Sequence, residues 1–226
     1  MRAFFLANGP TLVWVITALH LLFLILAFTL RSRTKEPLFL LAGCVAFGLF
    51  YDALVQALGT ALGTGEALTL LSRFRFVFHG ALIPLLFPIC AYALDFKKPW
   101  KIAVWALTAV VIVLGVAEGF ATELVPEEMA GILRCKSGEA TPGWAKGVSY
   151  LLAFGTIIPV ILAGVAVWIK QKTPLLLLAG LLMFVFAALG PASGNKDLNF
   201  LITMIGEVFL ILFFLLYARR KAKTAS

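Results

Sequence analysis

Apolar residues fill the chain in seven long runs, at about 9–30, 37–62, 67–94, 100–118, 145–169, 174–190 and 198–218, separated by short polar stretches. A hydrocarbon core of ~30 Å takes about twenty helical residues to cross, so each run has the length of a membrane span. In lipid the backbone must satisfy its own hydrogen bonds, which makes an α-helix of every such run. The expected fold is therefore an all-α membrane protein, one seven-helix transmembrane domain over residues 1–226. The first run is too long for a signal peptide, no A-x-A site closes it, and RSRTK follows as a stop-transfer flank, so it reads as a retained helix.

The polar stretches orient the bundle. Arg31, Arg33 and Lys35 follow span one; Lys97, Lys98 and Lys101 follow span three. Lys170 and Lys172 follow span five, and Arg219, Arg220, Lys221 and Lys223 follow span seven. All four clusters fall on one side of an odd number of spans. By the positive-inside rule the N-terminus is expected outside and the C-terminus in the cytoplasm. The longest connection, 119–144, is acidic at its edges and carries Pro126 and Pro142; a short outer cap is expected there.

Composition agrees. Only 13% of the 226 residues are charged, against about 25% in soluble domains, and 62% are hydrophobic. The net charge of +8 would suggest nucleic acid for a soluble chain; here basic cytoplasmic loops account for it, and no nucleic-acid partner is expected. Membrane lipids are the expected surroundings, in a bacterial-type plasma membrane. Cys44 and Cys90 lie in apolar runs, Cys135 lies in the long connection, and no CxxC or disulfide framework is present.

Ionisable groups inside spans are costly, and they normally face the bundle interior and pair. His20, Asp52, His79 and Glu207 each lie about ten to twelve residues from the outer end of their span, ~15–18 Å deep at the helical rise. Four titratable side chains on spans one, two, three and seven thus share one layer near the midplane. A second layer lies one turn further out: Gln56 is i+4 from Asp52, Arg75 is i−4 from His79, and Thr203 is i−4 from Glu207. Arg73 points to nearly the opposite side from Arg75, toward headgroups or a neighbouring helix. Pro84 and Pro88 are expected to distort span three beneath this layer, and Pro159 span five.

The expected candidate site is therefore Asp52, Arg75, His79 and Glu207, with His20, Gln56 and Thr203 beside them, binding and in one version moving a small or lipid-like ligand or protons. A metal-dependent hydrolase acting on a lipid is the alternative, since two histidines and two carboxylates make a set zinc accepts. The seven-span, N-outside arrangement is similar in topology to membrane hydrolases that cleave ceramide-like lipids, but their histidine pair on the last span has no counterpart here. A further alternative is haem held by His20 and His79. A retinal Schiff base is excluded, because span seven carries no lysine. The motifs of soluble nucleotide-binding, metalloprotease and serine-hydrolase sites are absent.

Overall fold

The computed structural model describes residues 7–225. In chain order its elements are α1 (Gly9–Thr34), α2 (Pro37–Leu62), α3 (Glu66–Leu82), α4 (Leu86–Ala93) and α5 (Lys98–Ala121), then β1 (Leu124–Met129) and β2 (Ile132–Ser137), then α6 (Gly143–Gln171), α7 (Leu175–Ala192) and α8 (Lys196–Ala225). With α3 and α4 taken as one span, seven helices among the described residues are long and apolar enough to cross a membrane. Ser226, the last residue of the basic tail, lies outside the described residues.

Local chemistry sets the boundaries. Prolines open α1, α2 and α5 in their first turn, where a missing N–H costs nothing. Lys35 and Lys172 close α1 and α6 in the left-handed conformation, φ 59° and 53°, with their N–H groups returned to the carbonyls of Arg31 and Trp168. Between α3 and α4 the helix tightens into one 3-10 turn at Ile83–Leu85. Pro84 sits in that turn and lacks the amide that would continue the regular ladder, so the expected distortion is a local tightening. Pro159 lies inside α6, which continues as helix on both sides of it.

The spans close into a ring. α1 packs on α2 and α8, α2 on α3, α3 on α5, α5 on α6, α6 on α7 and α7 on α8, while α2 also reaches α8 across the middle. Lipid offers no hydrophobic drive for this; close packing supplies it, and small residues allow backbones to approach. Gly115 and Gly119, one turn apart on α5, press against the backbone of Gly80 and Val77 on α3. A large core, including Phe39, Leu49, Leu86 and Ile211, fills the end where the basic clusters gather. At that end Lys221 Nζ bonds the Tyr92 carbonyl at 2.5 Å and Asp95 at 2.6 Å, and the Tyr217 hydroxyl donates to the Ala93 carbonyl at 3.1 Å. Trp14, Trp100, Trp144 and Trp168 face outward, as interfacial anchors do.

The 119–144 connection is a β-hairpin at the opposite end. β1 and β2 run antiparallel, with Glu127 opposite Arg134 and Met129 opposite Ile132. Ala130 and Gly131 form its two-residue turn with φ 52° and 75°, both positive, as a type I′ turn requires. Three helices meet the hairpin near its turn. Asp197 at the start of α8 accepts from the Ala130 N–H at 2.9 Å, and Thr60 on α2 accepts from the Leu133 N–H at 3.2 Å. Gly59 lies directly beneath the Leu133 carbonyl, and Gly9 on α1 lies beneath Ala130, where side chains would not fit.

Arg73 takes the neighbouring-helix option. Its Nη1 donates to the carbonyls of Gly119 at 2.8 Å, Phe120 at 3.1 Å and Thr122, capping the C-terminus of α5 where carbonyls lack partners. Arg73→Met should cost about 2 kcal/mol, roughly 5 °C in the midpoint of a thermal melt in detergent. Arg73→Lys should recover only part of the loss, because the shorter lysine must place its ammonium where Arg73 Nη1 now reaches three carbonyls. Equal melts for Arg73→Met and wild type would show the cap to be idle.

Candidate functional site

Asp52, Gln56 and Arg75 form the centre. Asp52 and Gln56 share one face of α2, and the Gln56 amide donates to Asp52 Oδ2 at 2.6 Å. Arg75 reaches across from α3, its Nε 3.2 Å from Asp52 Oδ1, with the arginine 4% exposed and the aspartate 18%. Arg75 Nη2 donates to the Cys135 carbonyl on β2 at 2.7 Å, and the guanidinium lies 4.9 Å from the centroid of the Phe76 ring. One buried side chain thus ties α2, α3 and the hairpin together, and both Asp52 oxygens are engaged.

The other candidates gather around two cavities that share Asp52 and Arg134. The first, of about 250 Å³, is also lined by Arg75, Phe76, His79, Glu118, Ser149 and Leu152. Ser149, on α6, is the exposed residue in its wall. The second, of about 410 Å³, lies under the hairpin toward α8, with Gln56, Lys136, Lys196, Asn199, Thr203 and Glu207 in its wall. A smaller, mostly apolar space of about 60 Å³ continues below, between His79, Glu207 and residues such as Leu49 and Ile157. Thr203 bonds the Asn199 carbonyl of its own helix at 2.9 Å. His20 is fully buried against the backbone of Glu207, and neither ring nitrogen makes a hydrogen bond of normal geometry. The titratable groups of spans one, two, three and seven are thereby brought into one region.

Three residues bordering this region are missing from the sequence reading. Glu118 is the last residue of the fourth apolar run; it lies inside α5, buried, and its Oε1 accepts from Ser149 at 2.6 Å and from Thr122 at 3.1 Å. The spacing of Gly115 and Gly119 is the signal that the helix continues past it. Ser149 was an ordinary polar residue in a span. Arg134 lay in the connection, and nothing in its neighbours' polarity marks it as inward. Its guanidinium stacks on Phe200, 4.4 Å from the ring centroid. Among the described residues it makes no ion pair within 4 Å. Cys135, expected as a loop thiol, is wholly buried.

The electrostatics around the hairpin are uneven. Lys136 donates to Glu127 at 2.6 Å, and that hydrogen bond holds the Glu127 carboxyl below the usual range. Burial, and after it the charge of Arg75, push the Arg134 guanidinium down to about 9. A guanidinium keeps its proton at physiological pH, so Arg134 is a cation in a place that disfavours one. Among the described residues, Gln56 Oε1, Arg75 Nη1, Arg134 Nε and Glu207 Oε2, all on residues that line these cavities, are buried without partners. Polar atoms buried in this way are normally satisfied by something.

No group of three or more His, Cys, Asp or Glu that could hold a metal occurs among the described residues. The set proposed for zinc fails first at Asp52, whose oxygens are committed to Arg75 and Gln56. No protein-family model matches the chain, and no curated protein is similar to it in sequence.

Proposed function

We propose that this polytopic membrane protein binds, and in doing so can move, a small or lipid-like ligand in the polar layer beneath the hairpin. One observation carries the reading: the two cavities meet at Asp52 and Arg134 and are bordered by buried donors and acceptors that the fold itself leaves unused. A network serving only to fix helix register would satisfy its own members. The charged lining of the first cavity and the apolar space under His79 suit a ligand with a polar head and an apolar body. The basic clusters favour a cytoplasmic location for the opposite end, which makes the hairpin end the outer face.

The test is to extract and weigh what the purified protein carries. Wild-type protein in mild detergent should retain a bound molecule that Thr203→Trp, filling the larger cavity, releases while still folding and melting cooperatively. If both proteins carry the same molecules in the same amounts, the pocket is not where they bind.

A further inference from the structure

We propose that the polar group of this ligand is an anion, a carboxylate or a phosphate, gripped between Arg75 on α3 and Arg134 on β2. This rests on the reading above and names the chemical class it leaves open.

The charged groups around the cavities divide into those already committed and those left over. Four carboxylates border the two cavities. Asp52 is engaged by Arg75 and Gln56, Glu118 by Ser149 and Thr122, and Glu127 by Lys136. Glu207, one turn along α8 from Thr203, borders the second cavity together with Arg134, but among the described residues no ion pair within 4 Å joins the two. On the cationic side, Arg75 has spent Nε on Asp52 and Nη2 on the hairpin backbone, while its Nη1 is buried without a partner. Arg134 stacks on the face of Phe200, makes no ion pair within 4 Å among the described residues, and has its Nε likewise buried and unpartnered. Lys196 stands in the wall of the second cavity, which Arg134 also borders.

Two guanidiniums bordering one cavity, each with an unused donor, are the geometry that receives a planar carboxylate or a phosphate through charge-assisted bonds. Each arginine disfavours the other's charge, and an anion between them relieves both. Because Arg134 belongs to the hairpin and Arg75 to the bundle, the anion would also join lid to bundle beside the existing Arg75–Cys135 bond. Binding should therefore stabilise the fold as well as fill the pocket.

The experiment follows the thermal midpoint of full-length protein at low salt in uncharged detergent, with inorganic phosphate and acetate as free anions. In parallel it uses vesicles of phosphatidylglycerol, with phosphatidylcholine as the neutral control. A rise with phosphate or acetate identifies a free small anion, and a rise with phosphatidylglycerol alone identifies a lipid headgroup; either supports the proposal. The rise should shrink as sodium chloride is added. Arg134→Gln should weaken the apparent affinity roughly tenfold or more, and Arg134→Lys should fall between it and wild type. Lys146→Gln, at the same end but outside both cavities, should respond as wild type. The proposal is overturned if no anion shifts the midpoint, or if Arg134→Gln and Arg134→Lys both respond as wild type does. A neutral or cationic molecule released by Thr203→Trp, with no anion response, would overturn the anion and keep the pocket. Absence of any pocket-dependent molecule would remove the pocket itself.

Discussion

Arg75→Leu should lower the thermal midpoint of the protein by on the order of 10 °C, and adding Asp52→Asn should bring part of that back. The single change removes the partner 3.2 Å from Asp52 and the donor to the Cys135 carbonyl. It leaves a mostly buried carboxylate supported by Gln56 alone. Breaking a buried pair from one side costs about 3–5 kcal/mol, because the remaining charge has lost both water and counter-ion. At the size of this chain that corresponds to the shift stated. The asparagine in the double variant carries no charge to strand and still accepts from the Gln56 amide, so a positive coupling of about 0.5–3 kcal/mol is expected. Asp52→Asn alone should also destabilise, since it strands Arg75. Thermal melts of the four proteins in one detergent give the cycle; a double variant melting no higher than Arg75→Leu would mean that the two residues do not stabilise one another.

The same residues show what was legible in the chain. Span number depends on a length rule and a composition rule that lipid enforces on every segment alike, so seven spans could be read directly. The Asp52–Gln56 bond was also legible, since i and i+4 on one helix are neighbours whatever the rest of the protein does. The partner of Arg75 on the hairpin was not. It is a backbone carbonyl, which no side-chain pattern announces, and it arrives through a strand register set by a turn with alanine at its first left-handed position. The inward turn of Glu118 was hidden for a related reason: a charged group at the end of an apolar run reads as facing water, although a helix can carry it inward where Ser149 and Thr122 donate to it. Arg134 combines both difficulties, lying outside the spans by sequence and over the cavities in space.

Gly80→Leu should be comparably damaging, at about 3 kcal/mol, although it touches no charge. A Cβ added at Gly80 falls on the backbone of Gly115, and one at Gly119 falls 2.7 Å from the Val77 nitrogen. The obstacles are main-chain atoms, so no rotamer can give way, and α3 and α5 must move apart. Overpacking of this kind costs typically ~1–3 kcal/mol and more where nothing relaxes, which places this site at the upper end. The effect should reach the candidate site. The Arg73 cap on the last turn of α5 and the position of Glu118 beside the first cavity both depend on that crossing. Gly147→Ala is the control: an added Cβ there meets nothing within 4 Å, and alanine in a helix interior should be neutral to stabilising by up to about 1 kcal/mol. If Gly80→Leu melts with the wild type, the two helices do not cross where the glycines lie. If it melts early yet still carries the bound molecule released by Thr203→Trp, the crossing supports the fold without shaping the pocket.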